Sequence, residues 1–279
     1  MVESVQQMVD GQPAPHLRPF VERYVGYRIE GMAAGSHRGL PSRHLTIIIS
    51  LARPVDLSVL PNRLRGDSFS ALVGGLHASP VIIEHDGSQH GLQLELTPIG
   101  ARALLGVPAS ALASTVVHLS DLLGRVAGEL VDRLTAAAAW PARFCILDEV
   151  LTRVVTDVSE RPPEVAQAWR RLVATRGTIE VGALAHEIGW SRRHLGERFR
   201  QELGLTPKVA ARVLRFEHAC DVLKGGRRPA LADLAVTCGY FDQAHMTRDW
   251  HDLAGCAPTT WIREELLSVQ DERVGVGAS

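Results

Sequence analysis

The stretches GWSRRHLGERFRQELGLTP, residues 189–207, and GYFDQAHMTRDWHDLAGCAP, residues 239–258, are one pattern written twice. Leu184-Ala185, Gly189-Trp190, Leu195, Phe199, Gly204 and Pro207 recur as Leu234-Ala235, Gly239-Tyr240, Met246, Trp250, Gly255 and Pro258. The offset is 50 residues through the turn glycine and 51 along the helix that follows, so the second copy carries one extra residue in its turn. A repeat of this size predicts two similar supersecondary units.

Each copy reads as a helix-turn-helix. Val181, Leu184, Ala185 and Ile188 stand at helical spacing, and Gly189 supplies the positive φ that a sharp turn after a helix needs. Ser191 occupies the N-cap position of a second helix whose inward pair is Leu195 and Phe199. Arg192, Arg193, His194, Glu197, Arg198 and Arg200 are left on the outer face, the face suited to a major groove. In the second copy Asp242 is the expected cap and Met246 and Trp250 the buried pair. Gln243, Ala244, His245, Thr247 and Arg248 then face outward; Gln243 can pair with adenine and Arg248 with guanine. Thr206-Pro207 opens a long helix through Val209, Val213, Phe216, Ala219, Cys220 and Leu223, stopped at Gly225-Gly226. A rigid helix between two readers predicts contacts to successive major-groove faces, about 34–36 Å apart.

These two stretches resemble the DNA-binding domain of the AraC/XylS family of bacterial transcription regulators, over about the last hundred residues. The resemblance implies base contacts early and mid-way along each second helix, at Arg193, Gly196 and Glu197, then at Gln243, Ala244 and Arg248. Gly196 and Glu197 stand where the family shows polar or basic residues, and Trp250 replaces a common phenylalanine. A carboxylate at Glu197 repels phosphate but can accept from cytosine N4. Asp249 and His251 interrupt the usual basic run.

The resemblance also implies a front domain that senses a small molecule or mediates dimerisation, and the order of sheet, helices and DNA module is similar to that plan. With 279 residues and 46% hydrophobic content, two domains with a core each are expected. The formal net charge of −1 hides an asymmetry: Arg192 to Arg228 holds ten Lys or Arg against four Asp or Glu, whereas the first 160 residues lean acidic. Cys145, Cys220, Cys238 and Cys256 show no CxxC spacing and read as small hydrophobes in a reducing compartment. No secretion signal or 18-residue apolar run is seen, so a cytoplasmic protein without a membrane partner is expected.

Pro15 to about Gly31 reads as a lead-in strand or short helix. Strand-like segments follow at His44–Leu51, Val55–Leu60, Phe69–Val73, Val81–Glu84 and Leu92–Leu96, with turns at Gly74-Gly75 and Asp86-Gly87. Short strands at this spacing predict a small antiparallel sheet or barrel. The family resemblance implies that its concave face is an effector pocket, which Arg43, His44, His77 and Gln93 would line. Thr97-Pro98 then caps a helix ending at Gly106. One further helix is predicted from a Ser120 cap through Leu123, Val126, Leu130 and Leu134, and another from Pro141 through Phe144, Leu147, Leu151, Val154 and Val158. Their short seams suit either an antiparallel hairpin or a homodimer contact through helices 119–158. The fold class expected is therefore α+β: a sensing or dimerisation domain over 1–159 (sheet 15–97, helices 98–159) and an all-α DNA-binding domain over 165–268. The break is placed at Ser159-Glu160-Arg161-Pro162-Pro163-Glu164.

No nucleophile elbow, phosphate loop or HExxH is present, and an enzymatic role or cofactor is not expected. His85, His90 and Glu95 invite a cupin-like metal site, but they lack a His-x-His pair and flank an Asp-Gly turn where solvated side chains are expected. The reading is a sequence-specific regulator of double-stranded DNA, with RNA polymerase as a further partner if it activates. Arg192, Arg193, Glu197, Gln243, Ala244 and Arg248 are the expected base contacts, and Ser191, Arg198, Arg200, Lys208 and Arg228 the phosphate contacts. Any one of these alone would be an ordinary solvated residue; their clustering on two repeated helices carries the reading. A metal-binding enzyme tethered to DNA and an effector-independent DNA-binding protein are the alternatives.

Overall fold

The computed structural model describes residues 5–61, 65–156 and 163–267. Ten strands form two antiparallel sheets among them. The larger has the order β1 (Val5–Gly11), β2 (Val21–Glu30), β9 (Gln89–Leu96), β4 (Leu45–Ser50), β7 (Ala71–Gly74), β10 (Val116–His118). The smaller has the order β3 (Gly35–Gly39), β8 (Val81–His85), β5 (Val55–Val59), β6 (Arg65–Phe69). Alternation decides the faces. Leu45, Ile47 and Ile49 of β4 and Leu92, Leu94 and Leu96 of β9 are buried against the helices. Thr46, Ile48, Gln93 and Glu95, between them in sequence, turn to a cavity on the other side. Strands β1 and β3, on the edges of their sheets, were not expected: neither Val5–Gly11 nor Gly35–Gly39 has a run of alternating apolar residues, and both are held by main-chain pairing to β2 and β8.

Helix α1 (Pro98–Leu105) has the expected Thr97 cap, which accepts from the Gly100 N–H, and stops at Gly106 with a φ of 72°. The single helix expected from Ser120 to Leu134 is two. Gly124, at φ 54° and ψ −129°, separates α2 (Leu119–Leu123) from α3 (Arg125–Ala136), and Ser120 is not a cap. Only glycine adopts that conformation without strain, so heptad spacing across it does not preserve one helix. Helix α4 (Trp140–Val154) packs on α3. Leu130, Leu134, Leu147 and Leu151 fill the seam within the chain, and Arg133–Glu149 and Arg153–Glu129 ion pairs cross it. The proposed break lies mostly outside the described residues; Pro163 and Glu164 already belong to α5 (Pro163–Ala174). No described helix is long and apolar enough to cross a membrane.

Next come α6 (Val181–Ile188), α7 (Arg192–Leu203), α8 (Pro207–Lys224), α9 (Leu231–Thr237), α10 (Gln243–Ala254) and α11 (Pro258–Trp261). Separate cores for sheet and helices were expected, and the structure differs. One apolar cluster runs from the sheet through α1 and α4 into Leu184, Leu195, Phe199, Ala210 and Leu214 of the first unit. The turn after α7 is responsible. Gly204, at φ 78°, sits so close to the Ala109–Leu112 turn that a Cβ there would lie 2.1 Å from Ala113 Cβ. The second unit has its own cluster, in which Phe216, Cys220 and Leu223 of α8 meet Met246, Trp250 and Trp261. Helix α8 thus belongs to both clusters.

Candidate nucleic-acid interface and adjoining cavity

The two units repeat in detail. Ser191 caps α7 by accepting from the His194 N–H at 3.2 Å, and Asp242 caps α10 by accepting from the His245 N–H at 2.6 Å. Gly189 and Gly239 take φ of 77° and 76°, where an L side chain is strained. Leu195 and Phe199, and Met246 and Trp250, are buried. Each cap answers free N–H groups of the helix start, and the inward pair anchors the helix, so the opposite face is left to solvent.

That face carries most of the expected contacts. Arg193, Glu197, Arg200, Gln243, Ala244 and Arg248 are exposed, as is Lys208 near the start of α8. Arg193 Nε donates to Glu197 Oε1 at 2.9 Å, so the carboxylate one turn along is neutralised locally. Arg248 Nε reaches the Ala244 carbonyl at 3.3 Å and lies along its own helix. Gly196 opens onto empty space: a Cβ there would meet nothing within 4 Å. Arg192 is turned over α6, its Nε and Nη2 3.0 Å from where a Cβ on Gly182 would sit, which places it nearer the flank of the unit than the centre of the reading face. Arg198 donates to Gln201 at 3.0 Å.

Arg228, expected at phosphate, also donates from Nη1 to the Leu223 carbonyl at 2.8 Å and closes the end of α8, where carbonyls lack helical partners. One expectation needs correction. Asp249, counted as a break in the outer basic run, is 4% exposed and points inward. Arg212 Nε donates to its Oδ1 at 2.8 Å, with Arg215 at 4.0 Å. The signal was in the spacing: Met246, Asp249, Trp250 and Leu253 form one apolar stripe, and a carboxylate on such a stripe needs a cation from the neighbouring helix.

Arg43, His44, His77 and Gln93 all line one cavity of about 1110 Å³ between the two sheets. Its far wall was not foreseen, because it comes from the helical module: Phe216, Glu217, Cys220, Asp221 and Lys224 of α8, with Trp261 and Glu265. His44, 7% exposed, donates from Nε2 to Glu22 at 2.6 Å and lies 3.5 Å from Glu95. The hydrogen bond from His44, with Arg43 beside it, outweighs burial and holds the Glu22 carboxyl down at about 2. Arg43 also reaches Glu217 at 3.4 Å and so ties the sheet to α8. Burial raises Glu217 above the usual carboxylate range, against the pull of Arg43. Arg38 makes a second tie, to Glu264 and Glu265 at 2.9 and 3.0 Å. His77 is held by its own loop, Nδ1 to the Ser79 carbonyl at 2.6 Å. Gln93 donates to Glu95 at 3.4 Å.

The residues of the cupin-like alternative do not converge. His85 faces His37, with ring centroids 5.7 Å apart; His90 lies 3.2 Å from Arg143 and against Trp140; Glu95 pairs with Arg23 at 2.8 Å. His90 is thus packed rather than solvated, because α4 covers that end of the sheet. No group of three or more His, Cys, Asp or Glu among the described residues could hold a metal ion. Burial raises the Cys220 and Cys238 thiols, so neither is a ready thiolate.

Residues 184–264 match a family model described as a helix-turn-helix domain. Over 68 residues the chain is 34% identical to YbfI, an uncharacterized HTH-type transcriptional regulator of Bacillus subtilis (strain 168). Residues 184–264 therefore form a helix-turn-helix domain. The YbfI match spans 24% of each protein, about a quarter of that relative's length. The front half of the chain, residues 10–118, matches a domain of unknown function (DUF6597). Two crystal structures of ToxT from Vibrio cholerae are similar to it, each covering 86% of this chain and 97% of ToxT. An apo single-residue variant from strain SCE256 is 13% identical with a TM-score of 0.52. ToxT of strain O395 bound to (E)-4-(8-methylnaphthalen-1-yl)but-3-enoic acid is 10% identical with a TM-score of 0.50. This likeness extends the shared fold across both halves of the chain.

Proposed function

We propose that the protein is a transcription regulator that reads double-stranded DNA through α7 and α10 and is controlled by a small molecule in the cavity between the sheets and α8. The observation that carries the reading is the repeat itself: two equally capped helices, anchored on one linking helix, each with exposed polar and basic side chains. Arg193, Gln243, Ala244 and Arg248 are suited to base edges, with Glu197 accepting from cytosine if Arg193 releases it. Arg192, Arg198, Arg200 and Lys208 suit phosphates, and the Ser191 hydroxyl can still donate to a phosphate while its oxygen caps the helix. One chain already holds two readers. A homodimer would add a second pair, using outer faces of helices 119–158 rather than the seam between them.

Effector control rests on the cavity wall. A ligand there touches α8, the helix that carries both readers, and competes with the Arg43–Glu217 tie. Differential binding to two arrangements of that tie would shift the readers' spacing. ToxT bound to a butenoic acid is a neighbour of this fold with a small organic ligand. The test is to select duplexes from a random pool with the purified chain, then measure affinity for the winning sequence. Convergence on one motif supports the reading; retention of random DNA without enrichment rejects it.

A further inference from the structure

Phe241 is the residue by which the two units differ. Trp190 and Tyr240 occupy equivalent places: their N–H groups donate to the Ala185 and Ala235 carbonyls, each at 2.9 Å. Both rings also stand edge-on to a histidine, His194 at 4.6 Å and His245 at 5.3 Å. In the first unit the cap Ser191 follows Trp190 directly; in the second, Phe241 is interposed before the cap Asp242. The first unit closes the same turn without such a residue, so the fold does not require it.

Nor does Phe241 serve the core. It is 89% exposed, whereas Tyr240, Trp250 and Phe199 of the same repeat are buried. Its ring borders a shallow hollow with His245, Arg248 and Asp249. Phe241 precedes the Asp242 cap and is not part of α10, but it shares this hollow with His245 and Arg248, so its ring lies on the side of the helix that presents Arg248. The charge there is complementary to DNA: Arg248 is exposed, with its Nε on the Ala244 carbonyl of its own helix, and the carboxylate of Asp249 is held by Arg212.

We infer that Phe241 sets specificity, its ring lying in the major groove against the 5-methyl group of a thymine in the half-site read by α10. This rests on the DNA-binding reading above. The thymine methyl is the apolar group that base edges offer in the major groove, so an aromatic ring displaces water there at a profit only over thymine. A residue that folding does not need thereby acquires a role that an exposed polar residue could not fill.

The experiment uses the full chain and the duplex it selects. Each thymine of the half-site is replaced in turn by deoxyuridine, which removes only the methyl group. Wild-type affinity should fall about fourfold at one position, the worth of one buried methyl. Phe241→Ala should lose about as much on the thymine duplex and lose nothing more with uracil there; Phe241→Leu should keep part of the discrimination. Unchanged melting temperatures confirm that the exposed side chain was removed without harm to the fold. If Phe241→Ala binds every duplex as wild type does, or if its loss is the same with thymine and uracil at all positions, the inference is wrong. Loss of transcriptional output with DNA affinity intact would also overturn it and assign the ring to a protein partner. Failure of the wild type to bind any duplex would remove the DNA-binding reading itself.

Discussion

Arg212 of α8 donates from Nε to Oδ1 of Asp249 on α10 at 2.8 Å, and its other arm reaches Asp252, so the linking helix grips the second reading helix by charge as well as by packing. Asp249 is buried, and an unpaired cation beside a buried stripe is costly. Asp249→Ala should therefore lower stability by about 2 kcal/mol, less than for a fully buried pair because Arg212 keeps Asp252. Asp249→Asn, which keeps an acceptor, should lose about half as much. Urea denaturation measures both; an Asp249→Ala protein as stable as wild type would show that the pair does not hold α10.

Arg248 and Lys208 should separate reading from positioning. Arg248→Ala is expected to cost about 1–3 kcal/mol on the selected sequence and to relax preference at one base pair. Lys208→Ala should weaken specific and random DNA alike and flatten the salt dependence by about one counterion. Titrations at several salt concentrations distinguish them. Equal loss from Arg248→Ala on both DNAs would remove it from base readout.

Gly196 stands in the middle of α7 with open space where a Cβ would be. Glycine inside a helix costs about 1 kcal/mol relative to alanine. Gly196→Ala should raise stability by about 0.5–1 kcal/mol and weaken binding to the selected duplex, because close approach of DNA is what the missing side chain allows. Melting temperature and affinity should move in opposite directions. A variant that is both more stable and equally tight in binding would show that the glycine has no part in recognition.

Burial, helped by the nearby His85 ring, lowers His37 to about 4. The folded state therefore resists protonating a group that the unfolded chain protonates near 6.5. The sign follows: this contribution to stability is present above about 6.5 and is lost as pH falls toward 4. Denaturation midpoints of the wild type should drop across that window, and those of His37→Gln should drop less. Parallel curves would show that His37 titrates as it does in water.

Much of the helical half was legible because its signals are local. A cap, an inward pair and a glycine at positive φ lie within one short stretch, and their repetition doubled the information. The caps at Thr97, Ser191 and Asp242 are where spacing placed them. What escaped depends on distant contacts. Strand β1 is held by β2 and does not have an alternating pattern of its own. The break at Gly124 is invisible to heptad counting unless the glycine is weighed above the leucines. Asp249 looks like a surface charge until Arg212 is placed beside it. Arg43, His44, His77 and Gln93 do share a cavity, but Glu217 and Lys224 on its far wall could not be assigned to it without knowing that α8 packs against the sheet.

The most direct measurement is a hydroxyl-radical footprint of the purified chain on its selected duplex, then on the DNA beside its own gene. Two protected blocks about one helical turn apart, on one side of the duplex and weakened by salt, are the expected result. Protection that is uniform along the DNA, or no different from that on random sequence, would contradict the claim that α7 and α10 read successive stretches of one site.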